Sequence, residues 1–268
     1  ASSPRAKARS RSTGPSAFHG RHTTKAKHPD IEVVFFVAEE PYCQGSSVFD
    51  FSRIRAKEAY VFDLEGSIGT AANRAPSIIR FKVKLEGKSA HAGFEPEKGI
   101  SSIMIAANAI SKLKLGRIDR ETTMNIGLIS GGTGRNIVPR DTVVEGEIRS
   151  LDPVKARDMV GKVREKFVSA AQKAGAEAFF EAEEMISAYS VSKASPVIKR
   201  YRKALRELGY GPAKIITTFG GSDNNRLNKH GIDGIVVSNA MNNVHTTGEF
   251  FFADELEKSA EIAVKLMS

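Results

Sequence analysis

The chain has 268 residues, 41% apolar and 26% charged, which are the proportions of a globular protein large enough for one big domain or two ordinary ones. No stretch approaches the roughly 18 uninterrupted apolar residues that span a bilayer, and the polar, basic first residues lack the apolar segment of a secretory signal. One cysteine, Cys43, excludes an internal disulfide framework and points to a reducing compartment, with the cytoplasm as the expected location. The net charge of +9 is unevenly spread: residues 1–30 carry seven basic side chains against Asp30 alone, and the rest holds 33 basic and 30 acidic ones. The basicity therefore belongs to a tail. No specific nucleic-acid partner and no membrane are expected.

Residues 1–28 are rich in Ser, Arg, Lys, Gly and Pro without an apolar period, and are expected to be disordered. IEVVFFVAEE (31–40) reads as a buried, parallel-type strand running into an acidic turn, and AYVFDLEG (59–66) as a second strand ending in an acid. FDFSRIRAKE (49–58) has helical spacing and the length of a crossover between them. From Ser77 the pattern changes to strand (77–87), helix (99–115), two strands (122–132 and 142–150), helix (153–175) and strand (176–185). That order, β-α-β-β-α-β, is the ferredoxin-like α+β module. From about Ser187 an α/β pattern resumes: helix (195–209), strand (214–221), helix (224–231), strand (234–239) and closing helix (253–267). The fold class is α/β, with a ferredoxin-like module interrupting a larger α/β unit. The expected divisions are a tail (1–28), a first α/β part (29–75), the inserted module (76–185) and a second α/β part (186–268).

Chemistry-bearing side chains collect at strand ends and in glycine-bounded turns. Glu39 and Glu40 close the first strand, Asp63 lies at the end of the second, His91 stands in KSAHAG and His245 in NVHTTGEFF. Carboxylates with neutral imidazole are a ligand set for zinc, manganese or cobalt hydrolases. Adjacent glutamates point apart, so one can ligate while its neighbour handles protons.

The words VAEE (37–40), VFDLEG (61–66), GKSAHAGFEPEKGISSI (87–103), LGRIDRETTMNIGLISGGTGRNIVP (115–139), EIRSL (147–151), TFGGSDNNRLNKHGI (218–232) and HTTGE (245–249) resemble the peptidase T branch of the zinc exopeptidases. That family also includes carboxypeptidase G and succinyl-diaminopimelate desuccinylase. The resemblance implies a phosphorylase/hydrolase-like zinc-exopeptidase catalytic domain, here partial, interrupted by a ferredoxin-like lid and dimerisation domain. It implies that Glu39 is the general base and acid, that Glu40 and His245 bind one metal and Asp63 the other, and that His91 stabilises the oxyanion from across a dimer. Asn136 and Arg149 would hold substrate polar groups or its carboxylate, and the turn of Gly220, Gly221, Ser222 and Asp223 would offer backbone groups. The implied cofactor is zinc, two ions per subunit, with manganese or cobalt as substitutes. The implied partners are a short peptide substrate and a second copy of the chain.

Two ligand-bearing motifs of the family, His-x-Asp and Asp-Asp-Lys-x-Gly, are not found upstream of the EE turn. About two thirds of a metallo-aminopeptidase is therefore expected, with an incomplete two-metal centre. Two other readings stay open: a catalytically impaired remnant acting as a dimerisation module, and an amidohydrolase of N-acyl amino acids.

Overall fold

The computed structural model describes residues 18–20 and 28–268, which build two five-stranded sheets and a small hairpin. Most of the expected tail lies outside the described residues. Phe18–Gly20 (β1) pairs antiparallel with Val33–Phe35 (β2), so this part of the tail is not irregular. The expected parallel strand over 31–40 is corrected here: only β2 is extended, it is half-exposed, and its partner is β1. The expected crossover helix over 49–58 does not form either. A four-residue helix, Gln44–Ser47 (α1), follows the acidic turn instead, and Phe51–Arg53 is a single 3₁₀ turn capped by the Asp50 carboxylate. The cause is aromatic crowding: Phe36, Phe49 and Phe51 meet edge to face and tilted, with Phe51 stacked on His230. A regular helix would spread Phe49 and Phe51 over different faces. Glu58–Glu65 (β3) forms as expected, and Thr70–Ala75 (β4), hidden in the sequence by its small residues, follows it.

The inserted module has the expected order. Ser77–Glu86 (β5), Ser102–Ile110 (α2), Gly116–Arg117 (β6), Thr122–Gly131 (β7), Asp141–Ser150 (β8), Pro153–Lys173 (α3) and Glu177–Ile186 (β9) form an antiparallel sheet in the order β6-β7-β8-β5-β9. Alternation decides which face is covered. Phe81, Val83 and Leu85 of β5 point to a core with Met124, Val144 and Ile148, roofed by Ile105 and Ala109 of α2 and Val163 and Phe167 of α3. Between them Arg80 and Lys82 face water and pair with Glu183 and Glu145. Asp152 caps α3, its carboxylate accepting from the amides of Val154 and Lys155, with Pro153 as the first helical residue.

The chain then returns through Tyr189–Ser190 (β10), Pro196–Leu208 (α4), Lys214–Thr217 (β11), Asp223–Lys229 (α5), Asp233–Met241 (β12) and Ala253–Leu266 (α6). Strand β12 lies between β3, parallel, and β4, antiparallel, and β11 runs parallel to β4. This sheet is covered on both faces. Tyr60 and Phe62 of β3 and Ile235 and Val237 of β12 meet Tyr201, Leu205 and Ile262 of α4 and α6, while Ala59 and Val61 turn to Phe51 and Leu227. Among the described residues no helix is long and apolar enough to cross a membrane.

One buried amide ties the two sheets together where the chain passes between them. Asn225, 1% exposed, donates through Nδ2 to the carbonyls of Pro76 (3.3 Å) and Ser187 (2.8 Å), one on each crossing. Its Oδ1 accepts from the Ser222 amide at 3.1 Å, closing the capping box of α5. Asn225→Ala should leave both carbonyls without a donor and cost about 1–3 kcal/mol, read as a lower urea midpoint at constant m-value. An unchanged midpoint would show that the crossings do not depend on this amide.

Candidate active site

The acidic turn is folded back on itself. The amides of Cys43, Gln44 and Gly45 donate to the carbonyls of Glu39 (2.6 Å), Ala38 (2.9 Å) and Val37 (3.0 Å), which places Glu39 and Glu40 at the bend. Only glycine fits at position 45, because a Cβ there would overlap the Val37 carbonyl oxygen. A second loop leaves the end of β12 and carries His245. It is held by the Asn242–Phe250 bridge, by Asn243 donating to the Glu65 carboxylate (3.1 Å), and by the His245 amide donating to Glu249 (3.2 Å). Among the described residues, the six non-glycine residues with left-handed backbone are Ala38, Tyr42, Cys43, Ala240, Asn243 and His245. Five of the six lie in these two loops, and Ala240 is in β12 just before the second. Strained backbone collects where side chains are aimed for a purpose.

The two loops and the end of β3 enclose a cavity of about 460 Å³. Its wall includes Glu39, Glu40, Tyr42, Asp63, Arg149, Gly220, Gly221 and His245, so seven of the ten residues singled out in the sequence meet in one place. Glu65 and Glu249 join them, leaving one guanidinium against five carboxylates. Behind the wall sits a carboxylate that the motif reading treated only as part of a turn. Asp223, 9% exposed, accepts from the Ser46 hydroxyl at 2.5 Å.

Crowded carboxylates in a partly dry cleft resist ionisation. Loss of water and then the charges of Asp63 and Asp223 push Glu39 up to about 7, although the Cys43 thiol, donating at 3.5 Å, pulls the other way. Asp63 keeps some solvent access but is raised to about 6, by desolvation first and then by Asp223 and Glu40, with His245 opposing. Burial also raises Asp223, against its bonds to Ser46 and Cys43. The Cys43 thiol is fully buried among these acids and is pushed far up, which keeps it protonated and unreactive.

The Arg149 guanidinium is partly engaged: its Nε donates to Glu147 at 2.7 Å and an Nη to the Phe219 carbonyl at 3.0 Å. It fastens the 219–221 turn to β8 and lines the cavity. Gly221 packs so closely on Ile78 and Ile186 that a Cβ would overlap Ile186. The Gly220 amide donates to Thr218 Oγ1, and Ser222 is a buried N-cap whose amide is taken by Asn225. His91 and Asn136 do not reach this cavity. They stand together at the exposed tip of the inserted module, where Ala92 donates to the Asn136 carbonyl at 2.9 Å and His91 bridges Ile137.

The donor set suits a transition-metal hydrolase in kind. Glu40 Oε2 and His245 Nδ1 are 3.7 Å apart, compatible with two ligands about 2 Å from one ion. It falls short in number, because among the described residues no three His, Cys, Asp or Glu side chains converge on one point. A firmly held zinc wants three or more protein ligands.

Residues 74–175 match the M20 family model described as "Peptidase dimerisation domain". The chain is 39% identical over 241 residues to the uncharacterised protein YqjE of Bacillus subtilis, covering 90% of this chain and 65% of that one. Its fold superposes on aminopeptidase PepT of Bacillus cereus (TM-score 0.82, 37% identity) and on a tripeptidase of Staphylococcus aureus (TM-score 0.86, 32% identity). Each superposition covers 90% of this chain and 64% of the other. The protein is thus built on the α/β fold of the M20 peptidases, with their dimerisation module inserted. Within them it resembles the peptidase T-like members. The chain spans just under two thirds of the length of these relatives.

The raised carboxyls carry a sign. Glu39 and Asp63 hold protons in the folded chain where the unfolded chain, at 4.5 and 3.8, has released them. Their stabilising contribution is complete below about pH 4 and is lost as pH rises through about 6 to 7. In chelator, the melting temperature should fall between about pH 5 and about pH 8, and Glu39→Gln should flatten part of that fall. A Glu39→Gln profile parallel to the parent would contradict the perturbed titration.

Proposed function

We propose that this chain supplies the lid (76–185) and the flanking catalytic parts (29–75 and 186–268) of a metal-dependent aminopeptidase that hydrolyses short peptides in the cytoplasm. The observation that carries this reading is the cleft, with Glu39 titrating near neutrality at the bend of a strained loop and five carboxylates facing one arginine. A cavity of about 460 Å³ suits a ligand of two or three residues. Its excess negative charge favours a substrate end carrying an ammonium group over one carrying a carboxylate.

Glu39 takes a proton from the attacking water and returns it to the departing amine, a task suited to a carboxyl poised near the working pH. Glu40 with His245, and Asp63, would hold metal ions: zinc by the family resemblance, with manganese or cobalt as substitutes. Such an ion would lower the pKa of bound water and polarise the scissile carbonyl. Arg149, fixed by Glu147 and Phe219, holds the 219–221 turn against the cavity and presents its remaining N–H groups to the substrate. His91 would meet the charge that develops on the carbonyl oxygen. Its position at the lid tip, outside its own cleft, supports its service to a second copy of the chain. An apolar surface for pairing runs along α2 and the free part of β7, where Ile103, Met104, Leu128 and Ile129 are exposed. A second reading, a catalytically impaired module that only dimerises, is favoured by the lack of a third converging donor among the described residues.

The two readings separate on the full chain supplied with zinc or manganese. Calorimetry should detect metal binding that Glu40→Ala and His245→Ala abolish. A tripeptide should lose its amino-terminal residue, with Glu39→Gln reducing kcat about 10²- to 10⁴-fold. Absence of both metal binding and hydrolysis would leave only the dimerisation module, and hydrolysis of N-acyl amino acids but not free-amine peptides would reassign the substrate class. Sedimentation should show a dimer that Met104→Glu weakens.

A further inference from the structure

His91 is held more tightly than an exposed loop histidine needs to be. Its Nδ1 accepts the backbone N–H of Gly93 at 3.1 Å and of Phe94 at 3.2 Å. A ring nitrogen that accepts carries no proton, so the neutral imidazole has its hydrogen on Nε2, facing away from the loop. The Phe94 ring lies over the imidazole with centroids 4.2 Å apart and planes inclined by 23°. Phe94 is itself 81% exposed, more than any other large apolar side chain among the described residues. Such exposure gives up most of the usual gain from burying a phenylalanine. The backbone beneath is pinned, with Ala92 donating to Asn136 (2.9 Å), Val138 to Ala90 (2.9 Å) and Glu95 to His91 (3.0 Å).

We propose that Phe94 is a positioning residue for His91: the stacked ring and the two backbone N–H groups together hold the imidazole as a single Nε2–H tautomer, with that N–H presented from the lid tip as a donor. The torsion that turns an imidazole ring is broad and roughly two-fold, and two hydrogen bonds at an exposed site exchange readily with water. The stacked ring covers one face of the imidazole and opposes that turn. The catalytic meaning of this rests on the reading of His91 as the oxyanion donor, but the tautomer itself does not. For a donor that must meet charge appearing briefly on oxygen, a fixed N–H costs no reorganisation at that moment.

The test uses the full chain labelled with ¹⁵N-histidine, the His91 resonances being identified by their loss in His91→Gln. The parent should show one unprotonated and one protonated ring nitrogen, the latter Nε2. Phe94→Ala should bring the two resonances toward each other as tautomers exchange, and Phe94→Tyr, which keeps the ring, should restore the separation. Averaged resonances in the parent, or a Phe94→Ala spectrum identical to the parent's, would overturn the proposal. In the metal-loaded chain acting on a tripeptide, Phe94→Ala should lower kcat about two- to tenfold, as the usual contribution of an aromatic pair implies, with KM little changed. A raised KM at constant kcat would instead make Phe94 a substrate contact and also overturn it. If no variant hydrolyses peptide, the aminopeptidase reading fails while a locked tautomer still supports the role of Phe94.

Discussion

The side-chain amide of Asn225 holds the junction between the two sheets on which one wall of the cleft is built. The polypeptide passes between the two sheets twice, at Pro76 and at Ser187, and the passages present one buried and one part-buried carbonyl that Asn225 can satisfy. Asn225 serves both, and its oxygen holds the amide of Ser222 at the start of α5. The same helix start buries Asp223 behind Glu39 and sets the turn of Gly220 and Gly221 against Ile78 and Ile186. One planar group thus fixes the helix that supplies the cleft's hidden charge and the two strands that carry the lid.

From that constraint the electrostatics follow. Asp223 cannot move away from the EE turn because Ser46, in the helix after the turn, hydrogen-bonds to it. Its presence behind the wall adds to the repulsion that keeps Glu39 and Asp63 partly protonated. Arg149 is the nearest compensating charge on the cavity wall, but it is shared with Glu147 and a backbone carbonyl. The cleft is therefore a region of unrelieved negative potential, which a cation entering between Glu40, His245 and Asp63 would relieve.

The legible parts of the sequence were those where one period dominated. Alternation over 77–87 and 142–150 and the helical spacing of 153–175 each produced an element ending within two residues of its expected bounds. Strand β4 is not legible because, after Thr70, TAANRA has neither branched nor aromatic residues, and its extended form comes from neighbours on both sides. The stretch 31–58 misled for the opposite reason. VVFF looks like a buried strand, but Phe36 is used in a local cluster with Phe49 and Phe51, and Phe35 is 64% exposed. In the site, the acids at strand and turn ends were readable one by one. The engagement of Arg149 by Glu147 and the burial of Asp223 come from residues far apart in the chain, and no local pattern announces them.

The left-handed backbone of Ala38, Tyr42, Cys43, Ala240, Asn243 and His245 has a consequence for how the molecule opens. Each such residue holds a conformation that costs of order 1–3 kcal/mol and persists only while its surroundings enforce it. Cys43 and Ala240 are fully buried, but most other residues of the two loops are at the surface, where little packing stands behind that enforcement. Amide hydrogens of the exposed parts of 37–45 and 242–249 should therefore exchange with solvent through local excursions far less costly than global unfolding, well before those of the strands that carry them. The part of the chain that holds its reactive groups in the most defined geometry is also the part that gives way first.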